Sequence, residues 1–368
     1  MSAEGRRPTL RDIAERCGIS EAAASFALNG RPGVSEATRR RVLEVVEELN
    51  WSPHPAARAL TGAGSSTVGF VVARDPRDVG TELFFHRLMT GMQTVLSARH
   101  YGLLFQVVAS VEEEIATCRR WRDERRVDGV VLVDLRQDDP RPAAVAALGL
   151  PGVVAGGPDP GGHLPSVPVD DAAGMRAVMD HLRARGHDRV AYLSGTPGML
   201  HVHRRIESFE RTGRELGFQH LRTLSTDFSA AAGESATETA LTTAPRPTAL
   251  IYDNEVLAVA GLGVVRRHAL RVPDDVAVVV WEDTPVCTAL RPALTALRRD
   301  AVGFGADVAR RLLCLLDGAP MPEPAELVPA LVARASTLGE GRAGGDPPCG
   351  DPAGGNPSGG NSPQDQAD

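Results

Sequence analysis

The chain has 368 residues, 42% hydrophobic and 24% charged, with a formal net charge of −7 at pH 7. This composition is typical of a globular protein of two or three domains, and its apolar runs are too short for a membrane span. All 40 basic residues are arginines, which excludes a Walker-type phosphate loop and Schiff-base catalysis, because both need a lysine. The five cysteines contain no CxxC pair and predict neither disulfides nor a zinc site, and the polar N-terminus predicts a cytoplasmic protein without a signal peptide.

The first predicted element is a helix that begins after Thr9. Thr9 and Asp12 have the spacing of a capping box, in which the N-cap side chain bonds to the amide three residues later. Gly18 can end this helix, because glycine readily adopts the left-handed conformation. Apolar residues share one face of the helix: Leu10, Ile13, Ala14 and Cys17.

A second helix follows after about three residues, capped by Ser20 and running from about Glu21 to Leu28. Two helices joined by so short a turn cross steeply, as they do in a helix-turn-helix. Ser35 caps a third predicted helix. Its apolar residues again share one face: Val42, Val45, Val46 and Leu49. The three apolar faces predict one small core.

The outward face of the second helix favours contact with DNA. A generic three-helix bundle without DNA contact is the alternative, but its exposed faces would carry solvated charges. Small or apolar side chains let a helix enter the major groove, which is about 12 Å wide. The outward residues are Glu21, Ala22, Ala23 and Phe26.

Four segments of this region resemble the head-piece of the lac repressor and galactose repressor family: TLRDIA at 9–14, GIS at 18–20, LNGRPGVS at 28–35 and TR at 38–39. The resemblance runs from about Thr9 to Leu60 and implies that the second helix lies in the major groove. Glu21, Ala22 and Phe26 would then read bases. Phe26 replaces the usual arginine and Ala23 a threonine, so arginine cannot read guanine from this helix. The base contacts still available to this helix are those of Ala22 or Phe26 with thymine methyl groups and of Glu21 with a cytosine amine.

The resemblance also implies phosphate contacts from helix N-termini and short polar side chains. Thr9, Ser20 and Ser35 could instead serve only as helix caps, although a capped helix end still offers amides to a phosphate. The further DNA-contacting residues implied by family position are Thr9, Leu10, Ser20, Ser25, Asn29, Ser35, Thr38 and Arg39.

The segment after residue 50 is predicted to form a hinge. Pro55 favours the start of a helix, but a helix of about six residues is unstable alone. The resemblance implies that this helix forms on DNA, with Leu60 wedged into the minor groove and Ala57 at a packing position. The alternative is a plain linker, as GAGSS at 62–66 is.

Strand-like apolar runs alternate with helical stretches from Val68 onward. Runs at 68–72, 103–108, 130–133 and 153–154 predict one parallel sheet, and runs at 190–193, 249–252 and 276–280 predict another. Two consecutive α/β halves imply a cleft between two lobes. Ligands bind beyond the carboxyl ends of such strands, and closure of the lobes is a common way of sensing them.

The family resemblance extends to about Leu338 through RVDGV at 126–130, GHDRVA at 186–191, RIESF at 205–209 and VPDDV at 272–276. It implies an all-α helix-turn-helix head plus a two-lobed α/β sensor domain of the periplasmic-binding-protein type I class. The implied effector-binding residues are Phe84 or Phe85, Arg205, Asn254 and Glu282. These side chains suit a sugar-like effector, because arginine and carboxylate pair with hydroxyls and an aromatic ring stacks on a sugar.

Departures from the family pattern leave other ligands open, or none. Gly156 stands where many sugar-binding members have an aspartate, and Glu282 replaces another aspartate. Val280 and Trp281 replace the usual pair of a glycine and an aromatic residue. Arg205 and Glu282 could alternatively form a lobe-bridging or surface ion pair.

We predict a head over 1–50, a hinge over 51–66, an effector-binding and dimerisation domain over 67–338, and a disordered tail over 339–368 that is rich in Gly, Pro and Asp. The predicted function is a sequence-specific DNA-binding transcriptional regulator of repressor type, controlled by a small-molecule effector. It would act in the cytoplasm, at the nucleoid, as a homodimer on a pseudo-palindromic operator.

Two other classes were weighed. A solute-binding receptor without DNA regulation is the main alternative. An enzyme is disfavoured, because GLG at 261–263 and GFG at 303–305 lack the third glycine of a dinucleotide motif, and no GxSxG turn occurs. His201 and His203 could hold a metal, but such pairs near loops are more often surface residues. Neither a cofactor nor a metal is predicted.

Overall fold

The computed structural model describes residues 8–28, 30–49, 51, 64–321 and 327–339, with only the backbone of Asp78 and Thr81. The predicted contacts of Asn29, Ala57 and Leu60, the hinge helix and nearly all of the predicted tail lie outside these residues. Within the described ranges, no helix combines the length and the apolar character that crossing a membrane requires.

The head consists of three helices: α1 (Leu10–Cys17), α2 (Glu21–Leu28) and α3 (Glu36–Glu48). The predicted capping box of α1 is confirmed, since the Thr9 amide donates to the Asp12 carboxylate at 2.6 Å and the Thr9 hydroxyl accepts from the Asp12 amide at 3.4 Å. Gly18 ends α1 in the predicted left-handed conformation, with φ of 64°. Local side-chain chemistry thus determines both ends of this helix.

The caps of α2 and α3 are also confirmed. The Ser20 hydroxyl accepts from the Ala23 amide at 3.1 Å, and the Ser35 hydroxyl accepts from the Thr38 amide at 3.2 Å. One apolar core joins the three helices, and α2 is held by contacts with both of the others. The buried members of this core are Ile13, Cys17, Ala27, Val42 and Val45.

Replacing Thr9 by alanine should lower the free energy of local opening of α1 by about 1 kcal/mol, because the Asp12 amide loses its capping partner. Hydrogen exchange of the α1 amides in the full chain would measure this as roughly fivefold faster exchange. Ser110→Ala is the matched control, since Ser110 caps a helix of the first α/β unit by accepting from the Glu113 amide. If both variants changed α1 exchange equally, the capping role of Thr9 would be refuted.

The first α/β unit opens the remainder of the chain. Its sheet has five parallel strands in the order β2-β1-β3-β4-β5. Four of these strands match the predicted apolar runs, whereas β5 was not predicted. The elements are β1 (Thr67–Ala73), α4 (Pro76–Thr81), α5 (Leu83–Ala98), β2 (Gly102–Val108), α6 (Val111–Asp123), β3 (Gly129–Leu132), α7 (Arg141–Ala147), β4 (Gly152–Ala155) and β5 (Ser166–Val167).

The second unit has a six-stranded sheet in the order β11-β10-β9-β8-β6-β7, parallel except for β11. The predicted strands β6, β8 and β9 form its centre. The elements in chain order are α8 (Asp171–Ala184), β6 (Arg189–Ser194), α9 (Leu200–Glu215), β7 (His220–Ser225), α10 (Ala230–Thr242), β8 (Ala249–Tyr252), α11 (Glu255–Arg267), β9 (Ala277–Val280), α12 (Pro285–Ala289), β10 (Thr295–Arg298), α13 (Ala301–Leu316), β11 (Ala330–Val332) and α14 (Ala335–Leu338).

The helix α13 belongs to the first unit although it follows strands of the second. Residues 199–201 and 300–327 cluster with the first unit and not with the second, so the expectation of two consecutive halves is wrong. The reason is helix packing, since α13 lies directly against α5. A Cβ added at Gly91 would overlap the carbonyl oxygen of Val302, and one at Gly305 would overlap that of Leu88. Glycine at both positions lets the two backbones touch.

Candidate DNA-binding surface and effector-binding residues

The outward face of α2 carries the three residues predicted to read bases. Glu21 and Ala22 are exposed, and the Phe26 side chain is 39% exposed although it is aromatic. The opposite face, with Ala24 and Ala27, is buried. Between the two longer side chains, Glu21 and Phe26, this face carries the small residue Ala22, so the helix backbone can approach a partner closely there.

Three of the residues predicted to contact phosphates also cap the helices of the head. Thr9, Ser20 and Ser35 are exposed, so their hydroxyls serve the helix ends while their surfaces stay accessible. Ser25, Thr38 and Leu10 are half-buried. The Arg39 guanidinium, which is half-buried, donates to the carbonyl oxygen of Arg31 at 3.2 Å. Their contacts with DNA stay predictions.

Arg205, the predicted effector-binding arginine, lies buried in the second unit with 4% of its surface exposed. Its Nε bonds to Asp171 Oδ1 at 3.0 Å and its Nη1 to Asp253 Oδ1 at 2.7 Å. The guanidinium also lies over the Trp281 ring, 4.2 Å from the ring centroid. These ion pairs are internal to the unit, and neither is a surface pair.

The charges around Arg205 hold it firmly ionised. Burial by itself lowers the pKa of Arg205, but the carboxylates of Asp253 and Asp171 outweigh burial, and the pKa lies above its ordinary value. The Tyr192 hydroxyl donates to Asp253 Oδ1 at 2.8 Å, and the Gly195 amide donates to Asp253 Oδ2 at 2.9 Å. Burial and the charge of Asp253 raise the pKa of Tyr192 well above its usual range, so this hydroxyl remains a donor.

Three buried polar atoms at the carboxyl ends of the central strands have no hydrogen-bond partner in the described part of the chain. They are Ser194 Oγ at the end of β6, Asn254 Nδ2 just after β8, and Trp281 Nε1 just after β9. Asn254 uses its other side-chain atom, Oδ1, to cap α11 by accepting from the Leu257 amide at 2.9 Å. Buried polar groups are normally paired, so three such atoms on adjacent strands make these strand ends a candidate binding position.

Of these three residues, only Asn254 is predicted from the sequence to bind the effector. The rule that ligands bind beyond the carboxyl ends of parallel strands could have found Ser194 and Trp281, since each ends or follows an apolar run. Asp171 and Asp253 were also missed, because a partner for a buried arginine cannot be identified from spacing alone.

The other predicted effector-binding residues differ in accessibility. Glu282 is buried, and its Oε2 accepts from Arg299 Nε at 2.7 Å. In the first unit, Phe85 is fully buried in the core, whereas Phe84 is half-buried and meets it edge-on, with ring centroids 5.5 Å apart. Phe84 is therefore the one of the two phenylalanines that can still offer ring surface to a ligand.

His201 and His203 do not share a site. His201 is half-buried with Nδ1 3.6 Å from Asp134 Oδ1, whereas His203 is exposed. Within the described ranges, no three His, Cys, Asp or Glu side chains are arranged to hold a metal ion.

A capped helix-turn-helix head, followed by two α/β units of which the second has buried polar groups at its strand ends, is the architecture of a DNA-binding regulator with a ligand-binding domain. Comparison with known proteins agrees with this class. Residues 9–54 match the model of the bacterial regulatory proteins of the lacI family, and residues 179–337 match the periplasmic binding protein-like domain.

Relatives and solved structures extend this likeness over most of the chain. The transcriptional regulator CelR of Thermobifida fusca is 30% identical over 328 residues, which cover 88% of this chain and 96% of CelR. A LacI family regulator from Bifidobacterium animalis is 31% identical with a TM-score of 0.69, over 75% of this chain and 98% of that one. A complex of CelR with cellobiose is 27% identical with a TM-score of 0.67, over 90% of this chain and 100% of that one.

The chain belongs to the lacI family of bacterial regulatory proteins. It is a DNA-binding transcriptional regulator with an effector-binding domain, and not the solute-binding receptor that its sequence left as the alternative.

Proposed function

We propose that this protein is a repressor that binds a pseudo-palindromic operator as a homodimer and responds to a sugar. The exposed, capped helix α2 is the observation that supports the DNA-binding part. A two-fold symmetric dimer presents two such helices to successive major grooves, which is why its operator would be a near-palindrome. The protein would act in the cytoplasm and regulate transcription without catalysing a reaction.

The three unpartnered atoms of the second unit support a polyhydroxylated effector. Asn254 Nδ2 and Trp281 Nε1 can only donate hydrogen bonds, so the ligand must offer acceptor atoms. The Ser194 hydroxyl can donate or accept. A sugar matches all three, because each of its hydroxyls both donates and accepts. The likeness to a regulator solved with cellobiose favours the same class of ligand.

Sugar binding can be tested by thermal unfolding of the full chain with cellobiose and a panel of other mono- and disaccharides. A sugar present at about 100 times its Kd should add roughly 2.7 kcal/mol of stability. In Asn254→Ser, the effect of the same sugar should be lost, while the serine still caps α11 and the unliganded protein unfolds as before. Either an undiminished effect in Asn254→Ser, or no response to any sugar, would contradict the proposed effector site.

Operator binding is tested separately, by selecting duplexes from a randomised pool with the wild-type protein. We expect enrichment of one near-palindrome with half-sites about one helical turn apart. The selected duplex should then show an affinity that changes in the presence of the stabilising sugar, by a coupling of about 1–3 kcal/mol. Failure to enrich any common sequence would contradict repression through an operator.

A further inference from the structure

The outward face of α2 lacks a side chain that can read guanine, but an arginine lies immediately beyond it. Arg31 follows α2 in the loop, is exposed, and carries its guanidinium over the Phe26 ring, 6.0 Å from the ring centroid. Phe26 occupies the position where the family pattern has an arginine. The α2 position that carries an arginine in the family pattern is thus Phe26 here, and the guanidinium of Arg31 lies next to it.

The backbone of Arg31 is anchored on both sides. Its amide donates to the carbonyl oxygen of Phe26 at 3.0 Å, which ties it to the end of α2. Its carbonyl oxygen accepts from Arg39 Nη2 at 3.2 Å, which ties it to α3. The loop therefore presents Arg31 at a fixed place beside the DNA-facing surface.

The guanidinium of Arg31, in contrast, has all its donors available. Across the described ranges it makes neither a hydrogen bond nor an ion pair, and its only recorded contact is the Phe26 ring. At this distance the Phe26 ring attracts the guanidinium through a cation–π contact, which uses none of its five N–H groups. The contact biases the side chain towards the ring and leaves every donor available.

We propose that Arg31 is a specificity-determining residue that reads guanine in the major groove, with Phe26 as the platform that orients it. Guanine offers two acceptors there, O6 and N7, and the forked donors of arginine match them both. This inference rests on the proposed operator binding and adds to it the base and the side chain that recognises it. A phosphate contact is the competing use of this cation.

The test is duplex selection from a pool randomised over about 20 base pairs, repeated with Arg31→Ala, Arg31→Lys and Arg40→Ala. The wild type should enrich a guanine at one position of each half-site. Arg31→Ala should lose that preference and keep the others, and Arg31→Lys should weaken it, because lysine retains the charge and can still donate to guanine but lacks the rigid fork. On the wild-type duplex, Arg31→Ala should bind about 10- to 100-fold more weakly. Arg40→Ala removes the same charge from an exposed position of α3 and should keep the guanine.

Other outcomes separate the possible failures. If Arg31→Ala weakened every duplex equally, lowered the salt dependence by about one phosphate, and Arg31→Lys restored binding, Arg31 would contact the backbone and the proposal would be wrong. If the wild type enriched no shared sequence, the operator-binding function itself would fail. If the wild type enriched a palindrome and the Arg31 variants enriched the same one, only the role of Arg31 would be refuted.

The platform role of Phe26 has its own readout. Phe26→Leu keeps an exposed apolar side chain but removes the ring, so it should weaken the same guanine preference. Combining it with Arg31→Ala should add little further loss at that position, because the two side chains act together. Full additivity of the two losses would show that Phe26 and Arg31 act independently.

Discussion

Replacing Arg205 by alanine is expected to lower the free energy of unfolding by about 3–5 kcal/mol. Arg205 is the shared partner of two carboxylates that are themselves almost fully buried, Asp171 and Asp253. Removing the guanidinium leaves two like charges in a low-dielectric interior, and it also uncovers the face of Trp281. Chemical denaturation of the full chain, followed by tryptophan fluorescence, measures the loss.

Arg204→Ala is the matched control for this prediction. Arg204 also pairs with Asp171, at 3.1 Å, but 28% of its side chain is exposed. Solvent screens this pair, so its removal should cost no more than about 1 kcal/mol. Equal losses in the two variants, or a loss below about 1 kcal/mol for Arg205→Ala, would refute the view that Arg205 holds the unit together.

Introducing a carboxylate on the outward face of α2 should abolish specific DNA binding. Ala22→Glu places a negative charge on the face of α2 that we propose to enter the major groove, and we expect a loss of about 100-fold or more in affinity. Ala22 is exposed, so stability should change by less than about 0.5 kcal/mol. Titration of the selected duplex, read by gel shift or fluorescence anisotropy, measures the affinity.

Leu43→Glu provides the comparison at equal net charge. Leu43 lies on α3 with 51% of its surface exposed and is not a predicted DNA contact. The added charge there should weaken binding only through the general electrostatic effect, which salt screens. If Leu43→Glu lost as much affinity as Ala22→Glu, the outward face of α2 would have no special role.

The head could be predicted closely because its signals are local. Thr9, Ser20 and Ser35 each bond to an amide three residues ahead, and Gly18 takes the left-handed conformation within its own turn. None of these interactions depends on distant parts of the chain. The bounds of α1 and α2 therefore follow from the sequence alone.

The predicted strands are those whose sequence is a largely apolar run. The strand β8 is fully buried, and its sequence is one apolar run. The strand β7 has the sequence HLRTLS and is only partly buried along its length, since it lies at the edge of its sheet. Its polar residues mask the strand signal, and the same limitation applies to short edge strands such as β5.

The proposed effector site shows a sharper limit. Family position predicts Arg205 and Asn254, but the carboxylates that bind Arg205 come from residues 34 and 48 positions away. Such pairings arise from how helices and strands pack, which no local pattern specifies. The internal ion pairs of Arg205 could therefore be identified only from the structure.

The return of α13 to the first unit sets an order of events during synthesis. Residues 300–327, which include α13, are synthesised about 130 residues after Val169. Until then, the face of α5 that contains Gly91 has no helix packed against it. At roughly 5–20 residues per second this is a delay on the order of ten seconds. The amino-terminal unit, although made first, must therefore wait for the carboxyl-terminal one, and chaperones have that interval in which to engage it.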